Sequence, residues 1–285
     1  MNLEKMLEPL SIGSYTLKNR FIVAAMVTSM CDEQGYATDR YIAYREAKAK
    51  GSYGPSIAED YVVNAHAGGY QNVARIYDES MIPGHHRLTD AVHKYGARIF
   101  VQIYHAGRQT NSKVDGGVPV KSASHFACTW NRQMLEEPTK EAIKGIVHDV
   151  DVTAKNVKTD SFDGVEIHVS NGYLIAGFLL PEQAHRRVQW LLSEPLSLFE
   201  GSLRQALQEH RSGFPNHSRF SAVVDSVDGG GIAESCMLAK TLEGWVIDAI
   251  NCSNGVYGSY NRAQVSTCPP FMPHAWTSKF AAELK

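Results

Sequence analysis

Short apolar runs alternate along this chain with stretches of helical period, and that alternation limits what the chain can fold into. The runs are RFIVAAM (20–26), SIAEDYVV (56–63), ARIFVQIY (97–104), GVEIHV (164–169), RFSAVV (219–224) and VIDAINC (246–252). Most are continuously apolar rather than alternating, as expected of strands buried on both faces. Pro55 precedes the second, which suits a strand start. Helices are predicted between them over 39–51, 83–97, 139–158, 197–211 and 232–244, with a further helical segment in HAWTSKFAAELK. In the longest, Ile143, Ile146, Val147, Val150, Ala154 and Val157 recur at three and four, one buried stripe.

Strand–helix repetition of this kind specifies a parallel sheet covered by helices. A doubly wound sheet would carry a glycine-rich first turn, but RFIVAAM is followed by VTSMCDEQG. A (β/α)8 barrel places its chemistry at the C-terminal strand ends. Polar residues stand there: Thr28, Gln102 and His105, His168 and Asn171, Ser253 and Asn254. The expected fold class is therefore α/β, a (β/α)8 TIM barrel. It is expected to be incomplete, with six strand–helix units present and the last two missing. Residues 1–285 are read as one barrel domain, the front of a longer protein.

Composition narrows the function classes. With 28 basic and 30 acidic residues the formal charge is −2, so no strong field draws the chain to nucleic acid or an anionic membrane. No apolar stretch approaches the roughly 18 residues of a membrane span, and the start MNLEKMLEPL lacks the apolar block of a signal peptide. A cytoplasmic location is expected. Cys31, Cys128, Cys236, Cys252 and Cys268 are odd in number and form no CxxC pair, so no metal site is expected from them.

Three stretches carry candidate chemistry. In GVEIHVSNGYL, Glu166 and His168 share the strand face opposite Val165 and Ile167, and Asn171 and Tyr173 follow at once. From the residues alone, a core histidine with a capping asparagine remains open. In VQIYHAGRQ, Gln102 shares a face with Phe100 and Tyr104, and His105 and Arg108 lie just beyond. Arg108 meets a carboxylate or phosphate, or is a solvated surface residue. In CSNGVYG, Tyr257 closes over a substrate or belongs to a structural turn, and Cys252 reads as a small core residue.

Together with LKNRFIVAAMVTSM, DEQGYATDRYIAYREAKAKG, FDGVEIHVSNGYLIAGFL and DAINCSNGVYGSYNR, these stretches resemble the flavin barrel of the Old Yellow Enzyme family. Within it they are most similar to the branch of 2-enoate reductases, bile-acid enoate oxidoreductases and 2,4-dienoyl-CoA reductases. The resemblance implies an FMN-dependent ene reductase that passes hydride from reduced flavin to an activated C=C bond, with NAD(P)H as electron source. It implies that His168 and Asn171 hold the substrate carbonyl and that Tyr173 protonates the substrate carbon. Ala25, Met26, Gln102 and Arg219 are implied as FMN contacts, and Tyr104, His105 and Tyr257 as substrate neighbours. The partner implied is a small-molecule alkene; the sequence leaves a homo-oligomer open. If the chain continues, a [4Fe–4S] cluster and FAD are implied beyond it. The sequence departs from the family at LPEQAHRRVQWLLSEPLSLFEGSLRQAL, where Arg186 alone keeps a family arginine's place. Two other readings stand beside the first: a related flavin amine dehydrogenase or demethylase, and a non-catalytic barrel fragment.

Overall fold

The computed structural model describes residues 4–114, 116–123, 131–179, 194–210, 212–223, 231–257 and 275–285. The chain begins with α1 (Glu4–Leu7) and a hairpin of β1 (Leu10–Ile12) and β2 (Tyr15–Leu17). There follow α2 (Asp39–Lys50), β3 (Pro55–Val62), β4 (Ala74–Arg75), α3 (His86–His93), β5 (Arg98–Tyr104), α4 (Lys140–Thr159), β6 (Gly164–Val169) and α5 (Leu174–Leu179). The described elements end with α6 (Glu194–Glu209), β7 (Asn216–Ser221), α7 (Ile232–Gly244), β8 (Ala249–Ser253) and α8 (Ser278–Leu284). Six strands form one parallel sheet in the order β4-β3-β5-β6-β7-β8. Among the described residues no helix is long and apolar enough to cross a membrane. Cys128, Arg186 and Cys268 lie outside the described residues.

Local signals explain the starts of the two longest fully described helices before β6. Thr38 caps α2 by accepting from the Tyr41 amide, and Thr139 caps α4 by accepting from Ala142. The six apolar residues of the α4 stripe are all buried against the sheet. Burying each of the five Ile and Val side chains contributes about 1.5–3 kcal/mol, and Ala154 less. The helix expected over 83–97 is instead a 3-10 turn over Glu79–Gly84 followed by α3, because Pro83 has no amide to give to an α-helical ladder.

Three strand expectations shift. Residues 20–26 form a single bridge, Val23 to Ser56, rather than a full strand. Pro55 has no N–H, and β3 leaves register after Ile57, so the ladder stops almost where it starts. β7 begins at Asn216, three residues before the expected start, because its polar residues find partners indoors: the Asn216 side-chain amide donates to Leu207 O at 3.1 Å. β8 begins at Ala249 because Val246 sits at φ 71°, a left-handed turn that a strand does not tolerate.

The main core lies between the sheet and its helices. A second, small cluster of Ala25, Ile57 and Phe100, with Tyr15 packed on it, fills the concave side at the N-terminal strand ends. There Tyr15 Oη meets His217 Nε2 at 2.5 Å, and the Phe100 and His217 rings stack at 4.8 Å. Gly164 is required at this level: a Cβ there would stand 2.3 Å from the Phe100 ring. Arg219 Nη1 donates to Ala25 O at 3.1 Å, which ties the 20–26 segment to β7 and curls the sheet.

Candidate active site

The C-terminal strand ends gather the residues of the GVEIHVSNGYL stretch. His168 is the penultimate residue of β6, and its Nδ1 accepts from the Ser170 amide at 3.2 Å. The neutral ring therefore carries its proton on Nε2. Burial, with Arg219 adding to it, drives the His168 pKa well below its ordinary value, so the ring is neutral at physiological pH. Asn171 sits at φ 60° in the turn after β6, a conformation asparagine tolerates. Its Oδ1 accepts from Ser170 Oγ at 2.7 Å, while its Nδ2 is buried with no partner among the described residues. Tyr173 stands edge-on to His168, ring centroids 4.6 Å apart, and edge-on to Tyr104 at 5.1 Å. The phenol is held well above its ordinary pKa, first by burial and then by Asp60. The turn is braced from below by Gly107, at φ 54°, where a Cβ would stand 2.7 Å from the Leu174 amide nitrogen. Leu174 in turn donates to His105 O at 3.0 Å.

Beneath this group runs a belt of polar residues. Gln102 Nε2 donates to Glu166 Oε1 at 2.5 Å, and Asn251 Nδ2 donates to Glu166 Oε2 at 3.0 Å. Arg219 stands opposite His168 in the ladder, donates from Nη2 to Ser253 Oγ at 3.3 Å, and keeps its Nε buried and unpartnered among the described residues. Ala25 is buried, while Met26 beside it is 64% exposed. Two groups thus remain as buried donors facing no acceptor, Asn171 Nδ2 and Arg219 Nε. Such groups are costly unless a ligand or water meets them.

Sequence reasoning missed Asp60. Ile57 pairs with Phe100 and Asp60 with Gln102, so two residues of β3 stand against one of β5, a β-bulge. The bulge turns Glu59 outward to accept from Thr28 N and Thr28 Oγ1, and brings Asp60 into the belt. There burial raises its carboxyl to about 7 against the pull of Arg219. Tyr70 was also missed; its hydroxyl lies 3.0 Å from that of Tyr257.

The other named residues divide. Tyr104 is fully buried in the cluster, its hydroxyl accepting from Gly69 N at 2.8 Å. Tyr257 joins the cluster, its hydroxyl 3.3 Å from that of Tyr173. His105 is not brought there: its Nδ1 accepts from Gly107 N at 3.1 Å within its own loop. Arg108 is buried and donates to Ser122 Oγ at 2.9 Å, so it is no solvated surface residue. Cys252 is half-buried, and burial pushes its thiol up to about 11, away from nucleophilic use.

The model of the NADH:flavin oxidoreductase / NADH oxidase family matches residues 5–270. The chain is 33% identical over 259 residues to the NADH oxidase of Thermoanaerobacter brockii, covering 87% of this chain and 39% of that protein. It is 31% identical over 212 residues to the NADH:acrylate oxidoreductase of Vibrio harveyi, covering 72% of this chain and 21% of that one. It superposes on a 2-naphthoyl-CoA reductase in complex with 2-naphthoyl-CoA with TM-score 0.82 at 27% identity, over 90% of this chain and 41% of that chain. The chain thus spans about two fifths or less of these relatives' length.

Proposed function

The chain belongs to the NADH:flavin oxidoreductase / NADH oxidase family, whose barrels include the Old Yellow Enzymes, and on that premise we propose that it is the barrel of an FMN-dependent ene reductase. Its substrate class is an alkene activated by a carbonyl: an enoate, an enone or a dienoyl thioester. The convergence of His168, Asn171 and Tyr173 above Gln102 and Arg219 carries this reading.

The residues present fit the cofactor. A flavin's pyrimidine edge offers acceptors for buried donors, and Arg219 Nε is such a donor without a partner among the described residues. The Arg219 charge opposes the anion of a reduced ring. Gln102 contributes its amide, one N–H of which is fixed by Glu166, and Ala25 and Met26 contribute backbone and apolar surface. When bound, FMN reduced by NAD(P)H supplies the hydride.

The chain's own residues supply polarisation and a proton. The Nε2–H of neutral His168 and the Nδ2–H of Asn171 hold the substrate carbonyl oxygen and stabilise the negative charge that gathers on it. Tyr173 keeps its phenolic proton at neutral pH and delivers it to the substrate α-carbon. Tyr104 and Tyr257 wall the site.

Residues 1–285 are taken as one FMN-binding barrel domain. Among the described residues β8 pairs on one side alone, beside a cleft of about 390 Å³ lined by Ile250, Cys252 and Leu284. In the proposed arrangement the two remaining barrel units and the rest of the FMN phosphate site come from outside the described residues.

The test is an anaerobic titration of the purified chain, supplemented with FMN. NADH is expected to bleach the bound flavin, and acrylate or 2-cyclohexenone to restore its colour while yielding the saturated product. A chain that takes up no FMN, or whose reduced flavin neither compound reoxidises, overturns the reading.

A further inference from the structure

Tyr173 sits deep: 3% of its surface is exposed, and Tyr104 and His168 pack against it with ring edges and faces. An acid so placed has a difficulty that its own geometry does not solve. After each turnover it is a phenolate without contact to bulk water. The same burial that holds the proton on makes that phenolate costly, so it must be recharged.

Tyr104 leads nowhere, since it is fully buried and its hydroxyl accepts from Gly69 N. A continuous path runs the other way. The Tyr173 hydroxyl lies 3.3 Å from that of Tyr257, the Tyr257 hydroxyl lies 3.0 Å from that of Tyr70, and Tyr70 also interacts with Tyr173 side chain to side chain, so the three form one cluster. Tyr70 is 38% exposed, so it reaches water. The three residues come from three loops at the same end of the sheet: after β3, after β6 and after β8. A phenol both donates and accepts, so a row of them can pass a proton stepwise.

We propose that Tyr257 and Tyr70 form the proton path that recharges Tyr173 from solvent. The step balances. The Tyr173 O–H bond breaks as the C–H bond at the substrate α-carbon forms, and the O–H electron pair stays on the Tyr173 oxygen. Tyr257 then gives its proton to Tyr173, Tyr70 gives its own to Tyr257, and water recharges Tyr70. Tyr257 and Tyr70 act through Tyr173. The inference rests on the role given to Tyr173 above, but its test does not need turnover.

Hydrogen–deuterium exchange of the Tyr173 hydroxyl is to be followed by the isotope shift on carbon-13-labelled tyrosine Cζ, in the FMN-supplemented chain. The signal is identified by its loss in Tyr173→Phe. Tyr257→Phe and Tyr70→Phe are each expected to slow that exchange by roughly 10²-fold, the lower end of what a positioned proton donor contributes. The Tyr15 hydroxyl, held by His217 at the far end of the sheet, serves as a reference that neither change moves. Tyr173 exchange at the wild-type rate in both variants overturns the path, and so does slowing in one variant alone. Tyr70 is at the surface, so Tyr70→Phe decides the matter if Tyr257→Phe does not fold. With 2-cyclohexenone, Tyr70→Phe is expected to complete a first turnover at the wild-type rate and slow thereafter. Failure of every form, wild type included, to reduce the enone would sink the proposed function, while the exchange rates would still decide for or against the path.

Discussion

The two ends of the curled sheet hold the same pair of side chains and use them differently. At the N-terminal strand ends, Tyr15 and His217 join through a 2.5 Å hydrogen bond, with Phe100 stacked on the imidazole. At the C-terminal ends, Tyr173 and His168 meet ring edge to ring face, and the imidazole's backbone bond at Nδ1 leaves Nε2–H pointing elsewhere. Burial holds both imidazoles neutral, His217 at about 4 and His168 well below its ordinary value. Neither burial nor residue type separates a plug from a site. What separates them is whether the hydrogen-bonding capacity closes on itself. At the lower end the Tyr15 hydroxyl and His217 Nε2 satisfy each other; at the upper end the donors Asn171 Nδ2 and Arg219 Nε are left without a partner among the described residues.

Removing the two phenolic oxygens breaks the comparison most sharply. Tyr173→Phe is expected to lower enone turnover by about 10²–10⁴-fold, the contribution of a positioned general acid. Tyr15→Phe is expected to leave turnover unchanged and to lower the melting temperature. Equal loss of turnover in both variants would mean that the upper phenol is structural too. A smaller effect, read in urea, comes from the plug itself. Phe100→Ala removes a fully buried ring and should cost about 3–5 kcal/mol of stability. Gly164→Ala forces a methyl against the same ring and should cost about 1–3 kcal/mol. Unchanged midpoints would show that this end is not packed as described.

A further effect is in pH dependence, where the two ends pull in opposite directions. Asp60 titrates at about 7 in the folded chain against 3.8 ordinarily, so the native state keeps a proton that the unfolded chain loses. Its contribution makes stability fall as pH rises from about 4 to about 7. His217 is displaced the other way, from 6.5 to about 4, so its contribution is lost as pH falls through that range. Melting temperatures across this window should show Asp60→Asn gaining on the wild type as pH rises. Parallel curves would place Asp60 in water rather than in the belt.

Much of this was legible because it is local. GVEIHV is a strand over the residues expected, and the α4 stripe is buried throughout. The clustering of His168, Asn171 and Tyr173 follows from their closeness in the chain. What was hidden depends on distant partners. Asn216, His217 and Ser218 look like loop residues, yet His217 is satisfied by Tyr15, 202 positions away. Tyr70 lies in a polar connection, and its meaning depends on Tyr257. His105 looked like a site residue, but strand alternation past Tyr104 turns it into its own loop, to Gly107.

The surplus residue in β3 has a consequence for how such a pocket changes over time. Point substitutions edit one face of a strand and leave the other untouched. A single-codon deletion at Ala58 would instead remove the bulge: Ile57 and Asp60 would keep their places opposite Phe100 and Gln102, and Glu59 alone would stand opposite Val101, still on the outer face that meets Thr28. The acidity of the chamber and the anchoring of its outer wall thus both tolerate the loss of that one residue, and depend instead on which side chains stand at positions 59 and 60.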